Sequence, residues 1–260
     1  MARRRVDTLL AERGLAGSRT SAAASVRAGR VRIGRDGPFA QKPGQLVADD
    51  AELLISGPPR FVSRGGVKLE NALDRLDIDV NGLDCLDVGA STGGFTDCLL
   101  KRGASRVIAL DVAHGQLDWK LRNDPRVTVV ERRNARDLTP AELEFAPALI
   151  TADVSFISLA KLLPALASCL EEGGQALAMV KPQFELGRGR VKGGVVREAA
   201  GRREALASVA AAAVDAGLAV RGFASSDLPG PKGNRETFIH LLLGGDSIAG
   251  ITAAIEAVEP

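Results

Sequence analysis

Two lysines and two carboxylates stand where strands end or helices begin. Lys68 lies in a helix expected from Arg64 onward. Asp153 closes an apolar run over 148–153, Lys181 closes another over 175–181, and Glu236 starts a third over 236–243. Ligands of open α/β sheets bind at the carboxyl ends of strands. Singly, each of these residues reads as a strand-end charge facing water. Together they form a set that can handle a proton. Carboxylates hold an ammonium in place, and a lysine crowded by a second cation and kept from water gives up its proton more readily.

A second stretch suits ligand binding rather than proton transfer. Asp87–Asp97 reads Asp-Val-Gly-Ala-Ser-Thr-Gly-Gly-Phe-Thr-Asp, between a strand at 83–88 and a helix that begins near Phe95. Such a turn forms a cradle of backbone N–H groups without side-chain walls. The dinucleotide pattern Gly-x-Gly-x-x-Gly is broken, because Ser91 stands at its second glycine. An acid, Asp111, closes the next strand at the spacing that suits ribose hydroxyls. A glycine cradle with a ribose-binding acid and no pyrophosphate pattern suits S-adenosylmethionine better than NAD.

These residues need a frame to bring them together. From Leu83 onward strands are expected at 83–88, 106–111, 126–130, 148–153, 175–181, 218–224 and 236–243, with helices in most gaps. Such alternation predicts an α/β, Rossmann-like, doubly wound sheet. The loop Pro229-Gly230-Pro231-Lys232-Gly233-Asn234 is too short for a crossover helix, so the seventh and last strand should run antiparallel. That is the S-adenosylmethionine-dependent methyltransferase pattern. In the helix before the first strand, Val67, Leu69, Leu73 and Leu76 should pack inward, with Lys68 on another face.

The chain of 260 residues has a net charge of +2 that hides a division. Residues 1–64 hold twelve basic and six acidic side chains, +6, and the remainder is −4. Nine arginines face only Asp7 and Glu12 within residues 1–35. Concentrated arginine is the footprint of a phosphate-backbone partner. Here Arg5–Gly14 and Ser18–Gly29 read as helices, and 31–33 and 52–55 as strands. No apolar run is long enough to span a membrane, and no export signal follows the first arginines, which suggests a cytoplasmic protein. Cys85, Cys98 and Cys169 show no metal spacing and read as buried small hydrophobes. With only His114 and His240 besides, no metal is expected.

The helix–turn–helix and small strands over about 3–57 resemble the S-four RNA-binding domain, a small α+β module. That resemblance makes Arg4, Arg5, Arg19, Arg27, Arg30 and Arg32 candidates for RNA phosphates, with Arg64 at the end of the 58–64 linker. Residues 65–245 would be the methyltransferase domain, and 246–260 a tail or short helix. Lys68, Asp153, Lys181 and Glu236 match the tetrad of FtsJ-like ribose 2′-O-methyltransferases. Val62–Leu69, Asp87–Asp97, Gly115–Arg122, Asp153–Leu159, Lys181–Glu185 and Gly230–Asn234 are similar to words of the TlyA family, also labelled haemolysin. The resemblance implies methylation of cytidine ribose in ribosomal RNA of the small and, often, the large subunit. It implies Lys181 as base or hydroxyl activator, Asp153 and Glu236 as orienting acids, and Lys68 as the second cation. Asp87, Gly89, Ala90, Ser91, Thr92, Gly93, Gly94, Phe95, Asp111, Val112 and Asp153 would surround the cofactor. Asn134, Ala135 and Arg136 would border its adenine. Gly187–Arg197, with Arg188, Arg190, Lys192 and Arg197, is a candidate loop over RNA or a plain solvent loop. His114 departs from the family, whose members tend to carry tyrosine there. The rival readings are a small-molecule methyltransferase, a ribosome-assembly factor with little activity, and a haemolysin. The N-terminal charge, the intact tetrad and the lack of a membrane span speak against them in turn.

Overall fold

The computed structural model describes residues 3–35, 37–57, 60–187, 190–230 and 233–259. Its contacts divide the chain into Met1–Val67 and Lys68–Pro260.

The first unit runs β1 (Arg3–Arg5), α1 (Val6–Glu12), α2 (Arg19–Arg27), β2 (Val31–Ile33), β3 (Leu46–Ala48) and β4 (Leu53–Ile55). Ser18 caps α2 by accepting the Ser21 amide at 3.1 Å. Val6, Leu9 and Leu10 of α1 meet Ala22 and Val26 of α2 over Val31, Val47 and Leu53. Strands β1 and β3 pair antiparallel, as do β2 and β4. The pair β1–β3 was not expected. Three consecutive arginines carry no strand pattern, and it is the ladder to Leu46–Ala48 that extends them.

The second unit holds a seven-stranded sheet in the order β10-β11-β9-β8-β5-β6-β7. Its strands are β5 (Asp84–Val88), β6 (Arg106–Asp111), β7 (Val127–Glu131), β8 (Leu149–Ala152), β9 (Gln175–Val180), β10 (Leu218–Ser225) and β11 (Thr237–Leu243). The five from β5 to β9 pair in parallel, and β11 runs antiparallel to both β9 and β10. The helices are α3 (Arg64–Arg75), α4 (Gly94–Lys101), α5 (Trp119–Arg122), α6 (Leu163–Cys169), α7 (Pro182–Glu185), α8 (Ala199–Asp215) and α9 (Ile251–Val258). Leu86, Val88, Ile108, Ile150, Val180 and Ile239 are buried in one core with residues of α6 and α8. Cys85, Cys98 and Cys169 are all buried, and none forms a disulfide among the described residues. Among the described residues no helix is long and apolar enough to cross a membrane. No group of acidic, histidine and cysteine side chains there could hold a metal.

Three local expectations are corrected. Strands β8 and β9 stop one residue early, at Ala152 and Val180. Pro182 lacks an N–H and opens α7, so Lys181 becomes that helix's cap. Lys68 is buried, whereas Val67 and Leu76 are only half-buried. A carboxylate partner, described below, makes the burial of Lys68 tolerable. The C-terminal segment closes the unit. Buried Glu259 accepts from Arg202 Nε at 2.7 Å and from Thr237 Oγ1 at 3.0 Å.

In the first unit Asp7 is the buried charge. Arg5 donates Nε and Nη2 to its two oxygens at 2.9 and 2.7 Å, and Arg19 Nε adds a bond at 3.3 Å. The Arg5 bonds first, then Arg19, hold the carboxyl down at about 2 against its burial. A depressed carboxyl stabilises the fold above its unfolded value, and that support is lost as pH falls through the folded one. Asp7→Asn should therefore cost about 2 kcal/mol at neutral pH. It should also flatten the loss of stability between about pH 4 and pH 2. Hydrogen-exchange protection of α1 and α2 across that range checks this. An unchanged acid limb in the variant would remove Asp7 from the role.

Candidate active site

The turn from β5 into α4 is built around Asp87. This carboxylate is fully buried below the turn and accepts the Thr96 amide at 2.9 Å and the Thr96 hydroxyl at 2.6 Å. Thr96 is the third residue of α4, so Asp87 satisfies an open N–H of that helix from a distance of nine residues. Burial pushes the Asp87 carboxyl up to about 7, while the Thr96 bonds favour its ionised form and Asp153 adds repulsion. Above it, Gly89 at φ 84° and Gly93 at φ 92° are left-handed. Ser91, where the dinucleotide pattern wants glycine, is left-handed too, at φ 49°. Its amide donates to Asp111 Oδ2 at 2.7 Å, and Ala113 N–H donates to Asp111 Oδ1 at the same distance. Asp111 thus ties the glycine turn to the end of β6, and each of its oxygens keeps a further lone pair for a ligand.

Between these segments lies a cleft of about 370 Å³. Gly89, Ser91, Asp111, Val112, Asn134, Ala135 and Asp153 line it. Asn134 Oδ1 accepts the Arg136 amide at 3.0 Å, which fixes the 3₁₀ turn Ala135–Asp137. Other expected contacts fall outside the lining. Ala90, Gly93, Gly94 and Phe95 are buried, Phe95 against Phe238. Thr92 and Arg136 face solvent, and exposed His114 lies 3.6 Å from Glu131. The cleft also has walls that the sequence did not assign to the cofactor: Gln116 and Val154–Ile157, which lie in family words, and Arg133.

The tetrad is brought to one rim of the sheet as two ion pairs. Lys181 Nζ lies 2.6 Å from Asp153 Oδ1 and donates to Ser155 Oγ at 3.0 Å. Lys68 pairs with Glu236 through Oε2, and both side chains are withdrawn from water. Val180 is in register with Thr237, so Lys181 and Glu236 follow one another at the end of that ladder. Asp153 N–H still bonds Val88 O at 2.9 Å, and a Cβ on Gly89 would come within 2.6 Å of Asp153 O. A Cβ on Gly230 would strike Glu236 Oε1 at 2.2 Å, so only glycine fits that approach.

One unforeseen device shapes the loop after β8. Glu185 accepts from Ser158 Oγ at 2.6 Å and from Leu159 N–H at 2.8 Å, clamping the loop to α7. Burial raises its carboxyl above the usual range, and the Ser158 bond opposes this. Above the clamp Phe156 is left-handed at φ 67° and 93% exposed, 5.3 Å from Phe184. A strained, exposed phenylalanine could not be read from a run of Val-Ser-Phe-Ile.

A model of the FtsJ-like methyltransferase family matches residues 61–242. The 16S/23S rRNA (cytidine-2′-O)-methyltransferase TlyA of Mycobacterium tuberculosis is 50% identical over 93% of this chain and 91% of that protein. Hemolysin A of Brachyspira hyodysenteriae is 38% identical over 92% of this chain and 100% of that protein. A solved structure described as a candidate hemolysin from Streptococcus thermophilus is 42% identical. It superposes with a TM-score of 0.76, over 99% of this chain and 96% of the other.

The chain belongs to the TlyA family of FtsJ-like methyltransferases.

Its fold is therefore a methyltransferase fold, and the cleft beside Asp111 is the place to ask about the cofactor. The donor set fits one: a carboxylate with open lone pairs, the polar Asn134 and the exposed apolar side chain of Val112 around a single cleft. Asp111→Ala should lower S-adenosylmethionine affinity about ten- to a hundredfold, as expected for hydrogen bonds to a charged group. Ser91→Gly keeps the amide that Asp111 accepts and removes the left-handed strain, so affinity should hold while stability rises slightly. Titration calorimetry with both variants is the check. Full affinity in Asp111→Ala would move the ribose contact elsewhere.

Proposed function

We propose that this protein transfers a methyl group from S-adenosylmethionine to the ribose 2′-oxygen of cytidine in ribosomal RNA. The observation that carries the reading is the pair Lys181–Asp153, held at the sheet rim by Ser155. Both partners of that lysine line the cleft. S-adenosylmethionine, when bound, supplies a methyl group activated by its sulfonium. Asp111 would hold its ribose, Asn134, Ala135 and Val112 would border the adenine, and the turn at Gly89 and Ser91 would take the methionine end.

The chain's own task is then to place a hydroxyl and manage its proton. Lys181 Nζ carries three N–H groups; it donates one to Ser155 Oγ and is ion-paired with Asp153 Oδ1 without a formed hydrogen bond, so that, counting the ion pair as a second direction, a third remains. The third is free for the 2′-oxygen, either to stabilise its developing charge or, with Asp153 receiving a proton from Nζ, to remove its hydrogen. Lys68 and Glu236 form the closed pair behind it. They fix the start of β11 against α3 and set the field in which the open pair works.

The arginine-rich first unit would supply affinity for the RNA backbone. Arg27 is exposed and carries no ion pair among the described residues. Arg4, Arg5, Arg19, Arg30, Arg32 and Arg64 each bond within the unit. Of the expected basic loop, Arg188 lies outside the described residues, as does the side chain of Lys192, while Arg190 is paired with Glu204. A ribosomal substrate would place the work in the cytoplasm.

Lys181→Ala should cut single-turnover methylation of ribosomal subunits by about 10²–10⁴, with cofactor and RNA affinities little changed. Lys181→Arg should not rescue, since a guanidinium neither gives up its proton nor matches the ammonium's shape. A substrate with one 2′-deoxy nucleotide at the target should bind and stay unmethylated. Methyl transfer to that substrate would identify a base atom as acceptor and sink the reading.

A further inference from the structure

The word Gly115–Arg122 has no place in the reaction above, yet it is fastened unusually well. Leu117 and Leu121 are buried against the cofactor turn, where a Cβ on Gly93 would meet Leu121 Cδ1 at 2.3 Å. Asp118 N–H donates to Thr92 O at 3.2 Å, and Asp118 Oδ1 caps α5 through Lys120 N–H at 2.9 Å. Asn123 Nδ2 closes the segment on Trp119 O at 2.7 Å. On this fixed piece the Trp119 side chain is left 75% exposed. It has no ring or ion partner among the described residues.

The segments beside it, after β6 and β7, mix six basic with seven acidic side chains between Asp111 and Glu144, so what matters is which of them are paired. Lys120, Arg132 and Arg136 carry no ion pair among the described residues. The acids there are largely engaged: Glu131 by Arg122 and Gly115 N–H, Asp124 by Arg126, and Asp118 by the α5 amide. Asp111, Asp118 and Asp137 keep carboxylates free of a cation among the described residues, the first two bound by backbone N–H groups. A rigid aromatic face among unpaired cations suits an unpaired nucleotide, whose base stacks while its phosphate meets the charge. A protein partner would call for contiguous apolar surface instead.

We propose that Trp119 is a stacking platform for an unpaired RNA nucleotide near the acceptor, with Lys120, Arg132 and Arg136 facing its phosphates. The inference rests on the RNA-methyltransferase reading and adds a contact to it. Trp119 is the only tryptophan and the chain has no tyrosine, so its fluorescence reports on this surface alone.

The full chain should be titrated with a short oligocytidylate and with deproteinised ribosomal RNA, with binding followed separately by filter retention. Tryptophan emission should be quenched as RNA binds, and S-adenosylhomocysteine alone should leave it unchanged. Trp119→Ala should weaken RNA binding about five- to a hundredfold, the range of one base–aromatic stack. Trp119→Phe should keep most of the affinity, and cofactor affinity should stay intact in both. RNA binding with silent emission, binding untouched in Trp119→Ala, or a response to ribosomal proteins but not to RNA would overturn the proposal. So would failure to bind either RNA while intact subunits are still methylated. Wild-type methylation of subunits, measured alongside, separates the two readings: its absence would sink the function itself.

Discussion

Two ammonium groups leave water at one rim of the sheet, and each does so with its own carboxylate. Withdrawing a lone charge costs several kcal/mol, and breaking a buried pair costs about 3–5 kcal/mol. The arrangement therefore constrains everything near it. Lys68 comes from α3 and Glu236 from the residue before β11, 168 positions apart, so the pair fixes that helix against that strand end. Gly230 must lack a side chain for the carboxylate to fit. The two pairs are unequal. Lys68 and Glu236 are closed off, whereas the Asp153 side chain is 27% exposed and lines the cleft. The open pair is the one a solvent-borne molecule can reach, and the closed pair ties α3 to the start of β11.

Strain is kept on either side of that rim and is held by carboxylates. Ser91 and Phe156 both sit at positive φ, a state that costs about 1–3 kcal/mol for residues with side chains. Asp111 holds the first through its amide, and Glu185 holds the loop of the second through Ser158 and Leu159. The Lys181–Glu185 word thus serves two ends of one task. Lys181 reaches Asp153 and Ser155 at the start of the β8 loop, and Glu185 fixes its far end.

The sheet was legible in the sequence because each core strand is a short apolar run bounded by glycine, proline or charge, and the missing crossover before Thr237 revealed the antiparallel turn. Asp153 and Lys181 were legible because charge at the end of an apolar strand is unusual, and Lys68 and Glu236 joined them through the family resemblance. The facing of Lys68 was not, since helical periodicity assigns a lysine to solvent and knows nothing of Glu236. Strand β1 was hidden because Arg3–Arg5 has no propensity of its own. Phe156 and Glu185 were hidden for a shared reason. A loop conformation set by a side chain 27 residues away leaves no local pattern.

The arginines of the first unit show how far a count of charges falls short of a surface. Nine arginines within 35 residues suggest nine phosphate contacts. Yet Arg5 and Arg19 lean on Asp7, Arg4 on Glu12 and Asp49, and Arg13 and Arg30 on backbone carbonyls. Arg32 lies 4.4 Å over the Phe39 ring. A paired guanidinium still has N–H groups to offer, because one carboxylate cannot use all five. Its charge, however, is already compensated, and counterions condensed on RNA are released by net charge rather than by donors. Specific geometry can then come from the tethered arginines, held in fixed directions. The salt-dependent attraction falls to the cations without a carboxylate partner among the described residues, among them Arg3, Arg13, Arg27, Arg30, Arg32, Arg35 and Lys42.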